Sequence, residues 1–101
     1  QFIEAARNLA QVAMTQQTDL QHRLDLVTRR LMARRFRPEE LAVARSALDD
    51  LKTYYASHPD DAKKLLSVGE SKRDEKLDAS QHAAWTMLVN QLMNLDEVLN
   101  K

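Results

Sequence analysis

Punctuation is what this sequence lacks, with one glycine and two prolines in 101 residues. A chain with so few residues able to reverse direction or break a helix cannot supply the turns of a β-sandwich or an alternating α/β fold. It commits instead to a few long helices. Pro38, Pro59 and Gly69 punctuate a series of stretches in which apolar residues recur at alternating spacings of three and four, which places them on one helical stripe. Alanine, leucine, glutamine, arginine, lysine and glutamate fill much of the remainder, and these lose little side-chain freedom in a helix.

The first stripe is Phe2, Ala6, Leu9 and Ala13, widened by Ile3, Ala10 and Met14. The second is Leu20, Leu24, Val27 and Leu31, opened by Thr18 with Gln21 three residues on, the pattern of a capping box. Pro38 opens the third helix at a position where its missing N–H costs nothing, and Glu39 and Glu40 lie against the positive end of the dipole. Its stripe is Leu41, Ala44, Leu48, Leu51 and Tyr55. A short helix is predicted from Pro59 to about Val68, with Asp60 and Asp61 in its first turn, an Asp60 to Lys64 pair, and Gly69 as its stop.

Seven of the nine residues from Glu70 to Asp78 are charged, which makes this segment the loop. Asp78 is the predicted N-cap of the final helix, with Gln81 at its third position and a stripe of Trp85, Leu88, Leu92, Leu95 and Leu99. Leu77, just before the cap, is placed to pack on the first turn of that helix with His82 as its partner, which would keep the charged loop ordered. The fold expected for residues 1–101 is a single all-α domain. It is an antiparallel up-down bundle of three to four helices plus a short helix, spectrin-repeat-like in general shape.

Fifteen basic and fifteen acidic residues leave no net charge, so no long-range field draws the chain to nucleic acid or to an anionic membrane. No apolar run is long enough for membrane insertion. The expected partners are therefore upstream domains of the same polypeptide or another protein, with no nucleic acid and no membrane insertion. The absence of cysteine removes disulfides, thiolate metal sites and covalent haem attachment from this segment. The chain starts on Gln1 rather than Met, as expected of a portion of a longer protein.

Candidate chemistry thins out on inspection. His22 is off its stripe, His58 sits at a helix junction and His82 lies in a first turn, so no cofactor is expected, and Met14, Met32, Met87 and Met93 read as gap-fillers in or beside the core. His58 with Asp60 and Asp61 could form half a metal site, but the aspartates already serve a helix N-terminus and no second cluster supplies further ligands. Arg29, Arg30, Arg34, Arg35 and Arg37 form the densest basic run, and Arg30, Arg34 and Arg37 recur at i, i+4 and i+7, a spacing that could clamp phosphate or carboxylate groups. With Asp25 placed to pair with Arg29, the run reads as a solvated helix end. The serines lack a nucleophile-elbow context, and no catalytic residue is assigned. Glu70, Arg73 and Asp74, which have no local helical role, are the candidate partner-binding residues.

One resemblance spans most of the chain. Gly69, Glu70, Ser71, Arg73, Asp74, Leu77, Asp78, Ala84, Trp85, Thr86 and the Asn94, Leu95, Asp96, Glu97 ending are similar to the closing stretch of a planctomycete-specific domain of unknown function. Gln1 to Arg7 resembles that family's "QFVEAAR" stretch, and Arg35 through Pro38, Glu39, Glu40 and Leu41 resembles its turn into a helix. Members are large proteins, commonly exported, in which a cytochrome-c-like module and a second uncharacterised domain often precede this one. The resemblance implies a C-terminal portion of such a protein, located in the periplasm or at the cell surface. It implies a non-catalytic structural or interaction module, or alternatively part of a composite enzyme or electron-transfer protein whose active site and haem lie upstream. Gln81 and His82 stand where the family pattern has Glu and Leu, and Arg37 stands where a Thr or Ser cap is usual.

Overall fold

A computed structural model describes the backbone of residues 3–68 and 73–99 and the side chains of 3–68 and 73–94. Among these residues there are five α-helices and no strand. They are α1 (Ile3–Gln16), α2 (Leu20–Met32), α3 (Pro38–Ser57), α4 (Pro59–Leu66) and α5 (Ala79–Leu99). The expected contributions of Phe2, Gly69, Glu70 and the Leu95 and Leu99 side chains fall outside the described residues.

The predicted stripes are the buried faces. Ala6, Ala10, Ala13 and Met14 of α1, Leu24 and Val27 of α2, Ala44, Leu48 and Tyr55 of α3, and Ala62 and Leu66 of α4 all lie in one core, with Leu9, Leu20, Leu31, Leu41 and Leu51 packed against it. The alanine face of α1 is thin, which lets a neighbouring helix axis approach closely.

One helix start differs from expectation and a second gains a cap from another residue. The N-cap of α2 is Asp19 rather than Thr18, and its carboxylate accepts the backbone N–H of His22 at 3.2 Å. Asp19 also binds the His22 ring through Nδ1, and that bond holds the Asp19 carboxyl below its ordinary range. At α3, Arg37 carries no acceptor and supplies no side-chain cap. Glu40 Oε1 instead accepts the Arg37 backbone N–H at 2.8 Å, which is half of a capping box. The Asp78 cap of α5 forms as expected, its Oδ2 accepting the Gln81 N–H at 2.9 Å.

The larger difference lies in α5. His82, Ala83, Ala84, Trp85 and Thr86 are consecutive and all buried, and Leu88, Val89 and Leu92 follow. A stretch buried all round, as residues 82–86 are, marks a central element rather than an amphipathic wall, although Gln81, Gln91 and Asn94 of the same helix are exposed. α5 accordingly packs against each of the other four helices, most extensively α1 and α3. Its 21 residues, about 32 Å at 1.5 Å per residue, match the 33 Å longest extent of the chain. Short connections were expected to make chain neighbours pack side by side, yet α2 and α3 share no helix contact among the described residues, nor do α1 and α3. The cause is local. Ala33 ends α2 with φ 59° and ψ 22°, its N–H bonded to Arg29 O, and this left-handed residue turns the chain away before Pro38 starts α3.

Candidate functional site

Of the residues singled out in the charged loop, Glu70 lies outside the described residues, whereas Arg73 and Asp74 meet a buried polar junction beside α1, α4 and α5. Arg73 Nη1 donates to the carbonyls of Asp74 and Leu77, each at 3.3 Å. The Asp74 backbone N–H donates to Gln11 Oε1 of α1 at 2.8 Å, and Asp74 Oδ1 accepts the Lys76 N–H at 3.0 Å, closing a tight turn. Leu77 is partly buried against the core. Residues 73–78 are thus pinned from beneath while Glu75 and Lys76 face solvent. Arg73 holds carbonyls of its own loop.

Beneath the loop lies Arg7, 2% exposed. Its Nη1 donates to Leu66 O at 2.7 Å and to Val68 O at 3.2 Å. Leu66 is the last residue of α4, so its carbonyl has no partner within the helix, and a guanidinium there complements the negative end of the dipole. Glu4 Oε2 approaches Arg7 Nη2 at 3.9 Å.

His82, wholly buried, joins the two arginines. Its Nε2 lies 3.3 Å from Arg7 O and its Nδ1 3.3 Å from Arg73 Nη1. A carbonyl can only accept and a guanidinium can only donate, so Nε2 carries the proton and Nδ1 is the acceptor. The ring is neutral. Burial pushes its pKa below the ordinary value, and the Arg73 and Arg7 charges add to that shift. Besides standing in the first turn of α5 after the partly buried Leu77, His82 forms this bridge. With both nitrogens engaged and the ring enclosed, His82 acts as a strut and has no free nitrogen for an outside substrate. One and two turns further along the buried stretch of α5, no further ring or hydroxyl is used in this way. Trp85 Nε1 and Thr86 Oγ1 are buried without a hydrogen-bond partner.

Neither Arg7 nor His82 was singled out from the sequence as a buried polar group, yet a signal was present. Arg7 falls at i, i+3 and i+7 with Ala10 and Met14, and His82 at i, i+3 and i+7 with Trp85 and Val89, so both stand on apolar stripes.

The arginine run divides rather than forming one face. α2 stops at Met32, so Arg34 and Arg37 do not continue the row begun by Arg30. Arg34 grips Glu40 with both Nη atoms at 2.8 and 3.0 Å, a bidentate pair that holds the Glu40 carboxyl far below its ordinary range. Arg37 lies 3.5 Å from Glu40 and 3.9 Å from Glu39. Asp25 forms no ion pair with Arg29 among the described residues. Instead Asp25 and Arg29 line an open groove of about 460 Å³ with Leu26 and Arg30, joined by Arg35 from beyond the Ala33 turn.

The other two histidines are occupied locally. His22 belongs to the α2 cap, and His58 bonds through Nδ1 to Tyr54 O at 2.8 Å and stacks on the Tyr54 ring at 4.1 Å. Asp61 accepts the Tyr54 hydroxyl rather than joining His58. Among the described residues no cluster of three or more His, Asp or Glu side chains could hold a metal ion. None of the helices described is long and apolar enough to cross a membrane. What fold and junction define together is an all-helical domain with a stiffened charged loop. No family model, no curated protein and no solved structure matches the chain.

Proposed function

We propose that this chain is a non-catalytic helical structural and interaction module, spectrin-repeat-like in general shape, that presents its charged loop to the rest of a large multidomain protein. Glu70, Arg73 and Asp74 mark the contact, and upstream domains of the same polypeptide are the partner. The C-terminal position, the export and the cytochrome-c-associated company belong to the same reading and rest on the resemblance to the planctomycete-specific domain.

The anchoring of residues 73–78 carries the proposal. A charged loop held by Arg73, by Gln11 and by the partly buried Leu77 has already lost the freedom that a flexible loop would lose on docking. Such preorganisation favours a surface used for binding. The buried polar groups point the same way: Arg7 and His82 of the helices and Arg73 of the loop fix loop and helices to one another.

The test is lysine cross-linking of the full-length protein read by mass spectrometry. Lys76 on the loop should link to residues upstream of this segment, whereas Lys52 on α3 should link within it. Absence of upstream links from Lys76, under conditions where Lys52 reacts, would overturn the reading.

A further inference from the structure

Most of the arginines described in this chain already have partners. Arg7, Arg23 and Arg73 bind backbone carbonyls, and Arg34 and Arg37 bind Glu40 and Glu39. Arg29, Arg30, Arg35 and Arg45 are exposed and enter no ion pair or hydrogen bond between side chains. The first three line the same groove. Its wall is the outward row of α2, where His22, Asp25, Leu26 and Arg29 follow at i, i+3, i+4 and i+7, opposite the buried Leu24 and Val27. Arg35 reaches it across the turn that Ala33 makes in a left-handed conformation, one that a residue with a Cβ adopts at a cost. The bidentate Arg34–Glu40 pair then holds the turn.

The geometry points to a docking groove for a short acidic peptide segment, in which Arg29, Arg30 and Arg35 take carboxylates and Leu26 takes an adjoining apolar side chain. Guanidinium groups suit carboxylates because the planar fork donates two parallel hydrogen bonds. The groove is also mixed. Asp25 stands inside it and opposes a continuous polyanion, yet it can accept a peptide N–H, and Leu26 adds an apolar spot that a phosphate backbone would not use. The zero net charge of the chain supplies no long-range attraction for nucleic acid, so recognition is local. This groove uses a different set of residues from the loop contact proposed above, and cross-links from Lys76 do not depend on it.

The experiment is fluorescence anisotropy on the full chain with a labelled peptide of alternating glutamate and leucine. The same peptide with glutamine for glutamate and a labelled single-stranded oligonucleotide serve as controls. The acidic peptide should bind, more weakly as salt rises, and Arg29→Glu or Arg30→Glu should each lower the affinity by at least about tenfold. Arg45→Glu, which removes an equally unpaired charge on α3, should stay within about twofold. These side chains have no internal partner, so circular dichroism should show unchanged helix content; Arg30→Gln provides a milder variant that should fall between. Failure of the acidic peptide to bind, equal losses from Arg45→Glu and Arg29→Glu, or tighter binding of the oligonucleotide would each overturn the proposal.

Discussion

Two arginine-rich regions of this molecule make opposite use of the same side chain. At the elbow between α2 and α3 the guanidinium groups are exposed, some paired with glutamates and others with no side-chain partner among the described residues. At the junction of α1, α4 and α5, Arg7 is buried and donates to the backbone carbonyls of Leu66 and Val68, while Arg73 is half-buried and braces the loop. The difference is one of stakes. An exposed ion pair trades water for a carboxylate at little net gain, whereas a buried guanidinium cannot be removed without leaving carbonyls unsatisfied in a low-dielectric setting. Stability should therefore concentrate in the buried groups of the junction and depend little on the exposed arginines of the elbow.

The sharpest way to break that division is Arg7→Ala. It removes hydrogen bonds to Leu66 O and Val68 O and opens a cavity beside α5, so denaturant melts should show a loss of about 3 kcal/mol. A loss as small as that from an exposed arginine would end the distinction. Next comes the loop. Leu77→Asp should cost roughly 1–3 kcal/mol, because a partly buried leucine is replaced by a charge, whereas Lys76→Asp on the exposed side should stay within about 0.5 kcal/mol.

The junction should also be the pH-sensitive region near neutrality. His82 has a folded-state pKa below its unfolded value near 6.5, so the unfolded chain binds the extra proton first as pH falls. Stability is then fully present above about pH 6.5 and declines below it, through the lowered folded pKa. The carboxyls of Asp19, Glu40 and Asp78 are also lowered, but their contributions are lost only below about pH 4. Melts of the native sequence and His82→Gln between pH 7.5 and 5 should diverge in slope, the variant being flatter. Parallel curves would show that His82 is not the titrating group. The smallest expected effect is at the elbow, where Ala33→Gly should stabilise the fold by about 0.5–1 kcal/mol through relief of the left-handed conformation, partly offset by glycine's greater unfolded freedom.

Periodicity and capping were sufficient to locate all five helices, since Pro38, Pro59 and the Asp78 cap set boundaries that no tertiary contact had to override. The Thr18 cap was misplaced by one residue because threonine and aspartate are both good caps, and only the bond from Asp19 to His22 N separates them. The central role of α5 was muted by following a single stripe. Small or apolar residues at nearly every position from Ala83 to Val89 are the mark of burial on all faces. The junction was least legible. Gln11, Leu66 and Asp74 are far apart in sequence, and their hydrogen bonds depend on how helices cross. The groove was half legible: its arginines were evident as a run, but an unbroken helical row was assumed where Ala33 bends the chain.

The position of α5 in chain order bears on how such a molecule assembles. The helix on which the others pack follows them in chain order, so α1, α3 and α4 emerge before the helix against which each packs most extensively. Assembly then waits on contacts between distant parts of the chain, above all between α1 and α5, and loop-closure entropy must be met before burial rewards it. A nascent chain that has not yet released α5 exposes the apolar faces of α1, α3 and α4, Ala10, Leu48 and Leu66 among them, without their main packing partner, which makes this interval the one in which chaperones or neighbouring domains have most to protect.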